Sequence, residues 1–310
     1  MYAGNFSGGE EIIEITNISK AFGDIKAVDN ISLTMKEGIV MGLLGTNGAG
    51  KSTLLRLISG ILKPDVGDVK IDGESVYNNP KAKELFFYIS DDQYYFPNAT
   101  PKEFGSFYKT YFPKFDTERF LSLLDKIDLP KDRKIRTFSK GMKKQLSILI
   151  GVCSGTKYLL CDETFDGLDP VMRQAIKAIF IQEMAERDFT PIIASHNLRE
   201  LEDISDHIGL LHKGGVLLSQ DLDTMKCNLT KVQCVLSEEF DRQLQDALLV
   251  LKMQRHGKLL TMTVRGESDK VLSYLQSLNP VYCEAVPLTL EEIFISETEV
   301  AGYDIKSLIS

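Results

Sequence analysis

Gly45-Thr46-Asn47-Gly48-Ala49-Gly50-Lys51-Ser52-Thr53 is the stretch on which the reading of this 310-residue chain turns. Four residues between Gly45 and Gly50, then a lysine and a serine, complete the G-x-x-x-x-G-K-[ST] phosphate loop. Glycines let such a loop take positive φ and bring bare backbone N–H groups to an anion. Lys51 supplies a point charge for β and γ phosphates, and Ser52 a hydroxyl for Mg²⁺. The flanks agree. Ile39-Val40-Met41-Gly42-Leu43-Leu44 suits a buried strand, and 52–58 has helical apolar spacing. Strand, loop and helix in that order aim a helix N-terminus at the phosphate.

Outward from the loop, Ile12-Ile13-Glu14-Ile15 and residues 27–34 predict a small antiparallel sheet, with Phe22 in the loop between its strands. Residues 68–73 predict a short strand and turn. From Pro101 the pattern is helical, and Phe104, Phe107, Tyr108, Tyr111, Phe112 and Phe115 recur at three- and four-residue steps. That stripe is either core or a groove that receives a helix of another protein. Asp116 caps a helix over 117–127, Ser139 one reaching about residue 152, and Asp169 with Pro170 one reaching Arg187. Residues 158–161 and 191–195 are apolar strands, and 208–218 a hairpin around Gly214-Gly215. Such alternation predicts a largely parallel, helix-covered sheet. Beyond residue 225 the order is βαββαβ, a ferredoxin-like pattern, followed by a helix from near Leu288.

The chain is long enough for one large domain and a smaller one. Its 43% apolar and 26% charged residues are those of an ordinary globular protein, and a net charge of −8 argues against a general nucleic-acid binder. Five scattered cysteines without metal-type spacing read as free thiols in a reducing cytosol. The most apolar stretch, 146–153, is far short of the ~20 residues a membrane span needs. Residues 1–10 have no basic start and no apolar block, so they read as a frayed leader rather than a signal peptide.

Four further pieces make the phosphate loop part of an ATPase site. Asp162 and Glu163 follow the strand at 158–161, where an aspartate can hold Mg²⁺ and a glutamate can poise a water. Phe138-Ser139-Lys140-Gly141-Met142 sets a serine and a glycine at a helix N-terminus, a second anion-binding end. Gly167-Leu168-Asp169-Pro170 comes next, and His196 ends the strand at 191–195.

This set, in this order, resembles the nucleotide-binding subunits of ATP-binding cassette (ABC) transporters, over residues 11 to about 220. The resemblance implies an α/β P-loop NTPase with an N-terminal antiparallel β subdomain (domain 11–224, helical signature subdomain about 92–155) and a small α+β accessory domain at 225–310. It makes 45–53, including Asn47, Gly48, Gly50, Lys51, Ser52 and Thr53, the Walker A loop, and 158–163 the Walker B strand with Glu163 catalytic. Ser139 and Gly141 become the signature, Asp169 a D-loop residue and His196 the switch histidine. Phe22 matches the aromatic that stacks on adenine, or is a core residue of the small sheet. Asp91 stands where the family has the Q-loop glutamine and could bind metal there, with Gln93 two places late. The signature reads Phe-Ser-Lys-Gly, and Thr164 replaces a proline.

By the same resemblance the ligands are ATP and Mg²⁺, and two copies of the chain sandwich each ATP. A separate polytopic permease supplies the membrane part, no nucleic acid is bound, and the chain sits on the cytoplasmic face of the membrane. Pro287-Leu288-Thr289-Leu290-Glu291-Glu292-Ile293-Phe294 resembles the ending of bacterial drug, antibiotic and peptide export ATPases. The expected function is therefore ATP-driven export of a drug, lipid or antimicrobial peptide. The rivals are a non-transport ABC ATPase of translation or DNA repair and, more remotely, a P-loop kinase. A basic cluster (Lys131, Arg133, Lys134, Arg136, Lys140, Lys143, Lys144) reads as a solvated face or as an attractor of partner-bound ATP.

Overall fold

A computed structural model describes residues 11–300. The expected leader at 1–10 lies outside the described residues. The chain divides into two compact units between Ser219 and Gln220.

The first unit opens with two long strands, β1 (Glu11–Phe22) and β2 (Ile25–Lys36), joined by a tight turn and paired antiparallel. Phe22 is the last residue of β1, paired with Ile25, rather than a loop residue. The sheet extends further than the apolar pattern suggests because its outer face is polar along most of its length. Next come β3 (Met41–Leu44), the phosphate loop and α1 (Lys51–Ile58), then β4 (Val66–Ile71) and β5 (Glu74–Ser75), which complete a β2-β1-β4-β5 sheet. Leu54, Leu55, Leu57 and Ile58 of α1 are buried between β2 on one side and the strands of a second sheet on the other. Each such side chain contributes roughly 2 kcal/mol of burial.

A short α2 (Pro80–Lys83) leads to β6 (Phe86–Ile89) and a helical excursion of α3 (Pro101–Tyr111), α4 (Thr117–Lys126) and α5 (Lys140–Cys153). Thr100 and Glu103 close a reciprocal capping box on α3, and Asp116 and Ser139 cap the other two. Helix α3 stops before Pro113, which disfavours helical geometry in the residue ahead of it. The aromatic stripe therefore splits: Phe104 and Phe115 are core, whereas Phe107 is 37% and Tyr111 66% exposed. Gly151 lets α5 lie directly on Leu159 of the next strand.

That strand is β7 (Tyr158–Asp162), followed by α6 (Pro170–Glu186), β8 (Thr190–Ser195), α7 (Leu198–Ile204), β9 (His207–His212) and β10 (Gly215–Asp221). The second sheet has the order β10-β9-β3-β8-β7-β6, and the pairs among β3, β6, β7, β8 and β9 are parallel. Lys213 and Gly214, both at positive φ, make the two-residue turn that returns β10 beside β9. In the register, Leu44 lies opposite Ser195 and Ala194 opposite Asp162, so β3, β8 and β7 end side by side. Open parallel sheets bind ligands at that edge.

The second unit runs α8 (Leu222–Cys227), β11 (Leu229–Val235), α9 (Asp241–Ala247), β12 (Leu249–His256), β13 (Leu259–Arg265), α10 (Ser268–Ser277), β14 (Tyr282–Val286) and α11 (Leu290–Val300). Its sheet order is β12-β13-β11-β14 with every pair antiparallel. Val232, Cys234, Leu260, Met262 and Val264 form its core with Leu244, Val271 and Leu275 of the helices. Leu290, Ile293 and Phe294 of α11 are buried, and Glu292 pairs with Lys231 at 2.6 Å. Among the described residues no helix is long and apolar enough to cross a membrane.

Candidate functional site

The phosphate loop leaves the end of β3 and turns straight into α1. Gly48 and Gly50 have φ of 82° and 103°. A Cβ on Gly50 would also collide with the Ala27 carbonyl oxygen of β2, so both the conformation and the space require glycine. Asn47 and Gly48 are exposed at the tip, while Ser52 and Thr53 are half-buried on the first turn of α1. Lys51 is buried, and its ammonium donates to the Gly45 and Thr46 carbonyls at 2.6 and 3.2 Å. Its third neighbour is the Glu163 carboxylate, at 3.1 Å.

Glu163 is where three segments meet. It follows β7 at φ 49°, a left-handed conformation that costs a residue with a Cβ about 1–2 kcal/mol. Its amide donates to Ala194 of β8 at 2.9 Å. Its Oε2 lies 2.8 Å from Nδ1 of His196, which extends from the end of β8 and is 45% exposed. The carboxylate therefore lies between the lysine of the phosphate loop and the histidine of the neighbouring strand. Strain of this kind persists only where surrounding bonds over-determine it.

Asp162 is buried at the end of β7, with both oxygens engaged. Oδ1 accepts from Ser52 Oγ at 2.9 Å and Oδ2 from the Tyr88 hydroxyl at 2.9 Å. Burial pushes its carboxyl above the usual aspartate range, against the lowering effect of those two bonds. Burial, reinforced by the Asp162 charge, pushes Tyr88 up to about 12, so its hydroxyl stays a donor. Ser52 and Asp162 present hard oxygen donors side by side, the donor type that Mg²⁺ takes. Thr164 occupies the family's proline position without loss of order. It is buried, and its hydroxyl donates to the Asp162 carbonyl at 3.3 Å.

The other expected site residues lie on neighbouring turns. Ser139 Oγ accepts from the Met142 amide at 3.2 Å as the cap of α5 and is otherwise exposed. Gly141 faces the Gly167 carbonyl. Asp169 caps α6 through the Met172 amide at 2.9 Å. Asp91 is exposed, with its carboxylate 3.9 Å from the Lys144 ammonium. Gln93 donates to the Tyr108 hydroxyl on α3 at 3.2 Å. Phe22 is 48% exposed, with the Lys20 ammonium 5.7 Å from its ring centre, so it is a surface aromatic rather than a core residue of the small sheet.

Two participants, Tyr88 and Glu200, are absent from the motifs above, and a third, Lys144, takes a place other than the one expected of it. Tyr88 holds Asp162 from the adjacent strand β6. Glu200 is buried and accepts from Ser195 Oγ at 2.7 Å and Asn197 Nδ2 at 3.2 Å, bracing the turn that carries His196. Lys144 is buried rather than part of a solvated basic face, and donates to the Glu163 carbonyl at 2.6 Å. The rest of the basic cluster is partly neutralised as well, Lys131 by Asp125 at 2.5 Å and Lys140 by Asp166 at 3.6 Å. Only Tyr88 carries a sequence signal: a lone hydroxyl in an otherwise apolar strand.

Comparison with known proteins agrees with this geometry. The family model described as ABC transporter matches residues 28–166. The chain is 30% identical over 286 residues to the ABC transporter ATP-binding protein YtrB of Bacillus subtilis, covering 92% of this chain and 98% of that protein. It is 29% identical to the bacitracin transport ATP-binding protein BcrA of Bacillus licheniformis, over 95% of this chain and 96% of that one. A solved nucleotide-free ATP-binding cassette from an ABC transporter superposes with a TM-score of 0.60 at 26% identity, over 70% of this chain and 94% of that one. Phosphate loop, acidic pair, capped signature helix and end-to-end likeness point the same way. This chain belongs to the ABC transporter ATP-binding proteins and is the ATP-binding subunit of such a transporter.

Proposed function

We propose that the chain hydrolyses ATP to ADP and phosphate, with Glu163 as the residue that polarises the attacking water. The observation that carries this reading is the seat of the Glu163 carboxylate, 3.1 Å from Lys51 Nζ and 2.8 Å from His196 Nδ1. A carboxylate so placed can take a proton from water as the water oxygen attacks the γ phosphorus. Lys51 and the loop amides of 47–53 neutralise the β and γ phosphates, and His196 orients Glu163 and can reach the γ phosphate. Ser52 and Asp162 hold Mg²⁺, whose chemistry is to neutralise phosphate charge. Phe22 offers an exposed ring to the adenine.

The work is done by a pair of chains. Exposed Ser139 and half-buried Gly141 stand at the N-terminus of α5, and such an end binds a phosphate presented by a second copy, with Asp169 beside the joint. Partner subunits that span the membrane take up the motion through the aromatic groove beside residues 88–112, where Tyr94 and Tyr111 are exposed. The chain works from the cytoplasmic face, with 11–224 as catalytic domain, 92–155 as its helical part and 225–310 as accessory domain. Export of a drug, lipid or antimicrobial peptide is supported by the tail at 287–294 and by the bacitracin-transport name of a relative similar over nearly its whole length.

The deciding experiment is Glu163→Gln in the purified chain. Nucleotide binding should persist while phosphate release drops by about a thousandfold, a loss typical of removing a general base. Unimpaired steady-state hydrolysis would sink the assignment.

A further inference from the structure

Lys144 is a buried cation beside the site whose hydrogen bond goes to the main chain of Glu163 rather than to the phosphate loop. It lies in the N-terminal half of α5, where a positive charge opposes the helix dipole. Burial of an ammonium there is unfavourable unless acceptors surround it. They do: the Glu163 carbonyl oxygen at 2.6 Å, Asp166 Oδ2 at 3.7 Å and Asp91 Oδ1 at 3.9 Å. Only the carbonyl is within hydrogen-bonding reach. The two carboxylates offset the charge from further out, and Asp166 is shared with Lys140.

The geometry points to Lys144 as a positioning residue for hydrolysis, resting on the assignment of Glu163 above. It holds the main chain of Glu163, whereas Lys51 and His196 hold the carboxylate. Glu163 sits at φ 49°, and the carbonyl that Lys144 grips belongs to that same residue. A charge-assisted bond at 2.6 Å to this oxygen opposes relaxation of the strained peptide to ordinary geometry. The same ammonium ties together the loop after β6 through Asp91, the start of the signature helix, and the turn after β7 through Asp166. A displacement of α5 or of the Asp91 loop therefore reaches Glu163 through its backbone, without any contact to ATP. In this chain an acidic residue at the Q-loop position has an ion partner on the signature helix, and that partner is Lys144.

The test is Lys144→Met, which keeps the stem and removes the charge, measured in the full chain with Lys144→Arg beside it. Expected is a fall in kcat of about ten- to a hundredfold, the scale of a misplaced catalytic group, with ATP affinity and KM changed by no more than about threefold. Lys144→Arg, which keeps a cation, should recover most of the rate. Should the methionine variant not fold, Lys144→Gln, with an amide donor and no charge, is read in the same way. A folded Lys144→Met with kcat within about twofold of the parent overturns the proposal. So does an equal loss of rate, ATP affinity and melting temperature in both variants, because that is general damage. If Glu163→Gln hydrolyses ATP normally, the assignment of Glu163 fails first. If Glu163→Gln is inactive and Lys144→Met is not impaired, only the role of Lys144 falls.

Discussion

Gly50 carries φ 103° and has the Ala27 carbonyl oxygen where a side chain would begin. Gly23, in the β1–β2 turn, has φ 60° but nothing within 4 Å of the place a methyl group would take. The two separate conformational cost from steric cost. Gly23→Ala should lose about 1 kcal/mol of stability, and Gly50→Ala about 3 kcal/mol with a parallel loss of ATP affinity. Urea unfolding and a nucleotide titration read both, and equal losses at the two positions would contradict the packing described. At this scale the sequence discloses what is local. Lys51, Ser52, Asp162 and Glu163 announce themselves because each stands in a short local motif, even though Ser52 and Asp162 meet across 110 residues. Tyr88 and Lys144 do not, since they lie outside any such motif and reach Asp162 and Glu163 across separations of 74 and 19 residues. The left-handed turn at Glu163 leaves no trace either, for no glycine or asparagine marks it.

Among elements, α5 and α3 begin alike and are expected to answer differently to the loss of a cap. Thr100 and Ser139 each accept from an amide of the first turn, at 3.3 and 3.2 Å. Replacing either by alanine should cost about 1 kcal/mol of unfolding free energy. Only Ser139→Ala should also abolish most ATP turnover, because only that hydroxyl is assigned to a phosphate. Equal retention of activity in the two variants would reduce Ser139 to a cap. Elements with a strong local grammar are legible: strand, loop and helix around 45–53, the Asp169-Pro170 start of α6, and the alternation beyond residue 225. Strand β1 reads short in sequence, with Phe22 falling in a loop, because the polar half of an exposed sheet has no apolar rhythm to follow. The stripe from 104 to 115 is ambiguous for the opposite reason, since its rings recur on both the inner and the outer side and only packing decides which face inward.

For the molecule as a whole, the paired arrangement proposed above sets the signature turn of one chain against the phosphate loop of another. With hydrolysis blocked by Glu163→Gln, Mg²⁺ and ATP should convert the protein to a dimer, and removal of nucleotide should reverse this. Light scattering across a concentration series checks it, and a monomer at every ATP concentration would reject the paired arrangement. The overall plan is readable because the order of motifs is a property of the chain. The position of each motif along the sheet edge is not, because it depends on the β3-β8-β7 register.

One small knot of backbone ties the nucleotide cradle together. The Asp29 amide donates to the Gly214 carbonyl at 2.8 Å, and the Gly214 amide to the Ala49 carbonyl at 3.2 Å. The Ala27 oxygen fills the space beside both Gly50 and Gly214. Two sheets and the anion-cradling bend are thus riveted at a point with no side chain to act as a cushion. The small sheet and the phosphate loop are thereby anchored to one another through main-chain atoms alone, and no residue of α3, α4 or α5 takes part in that anchor.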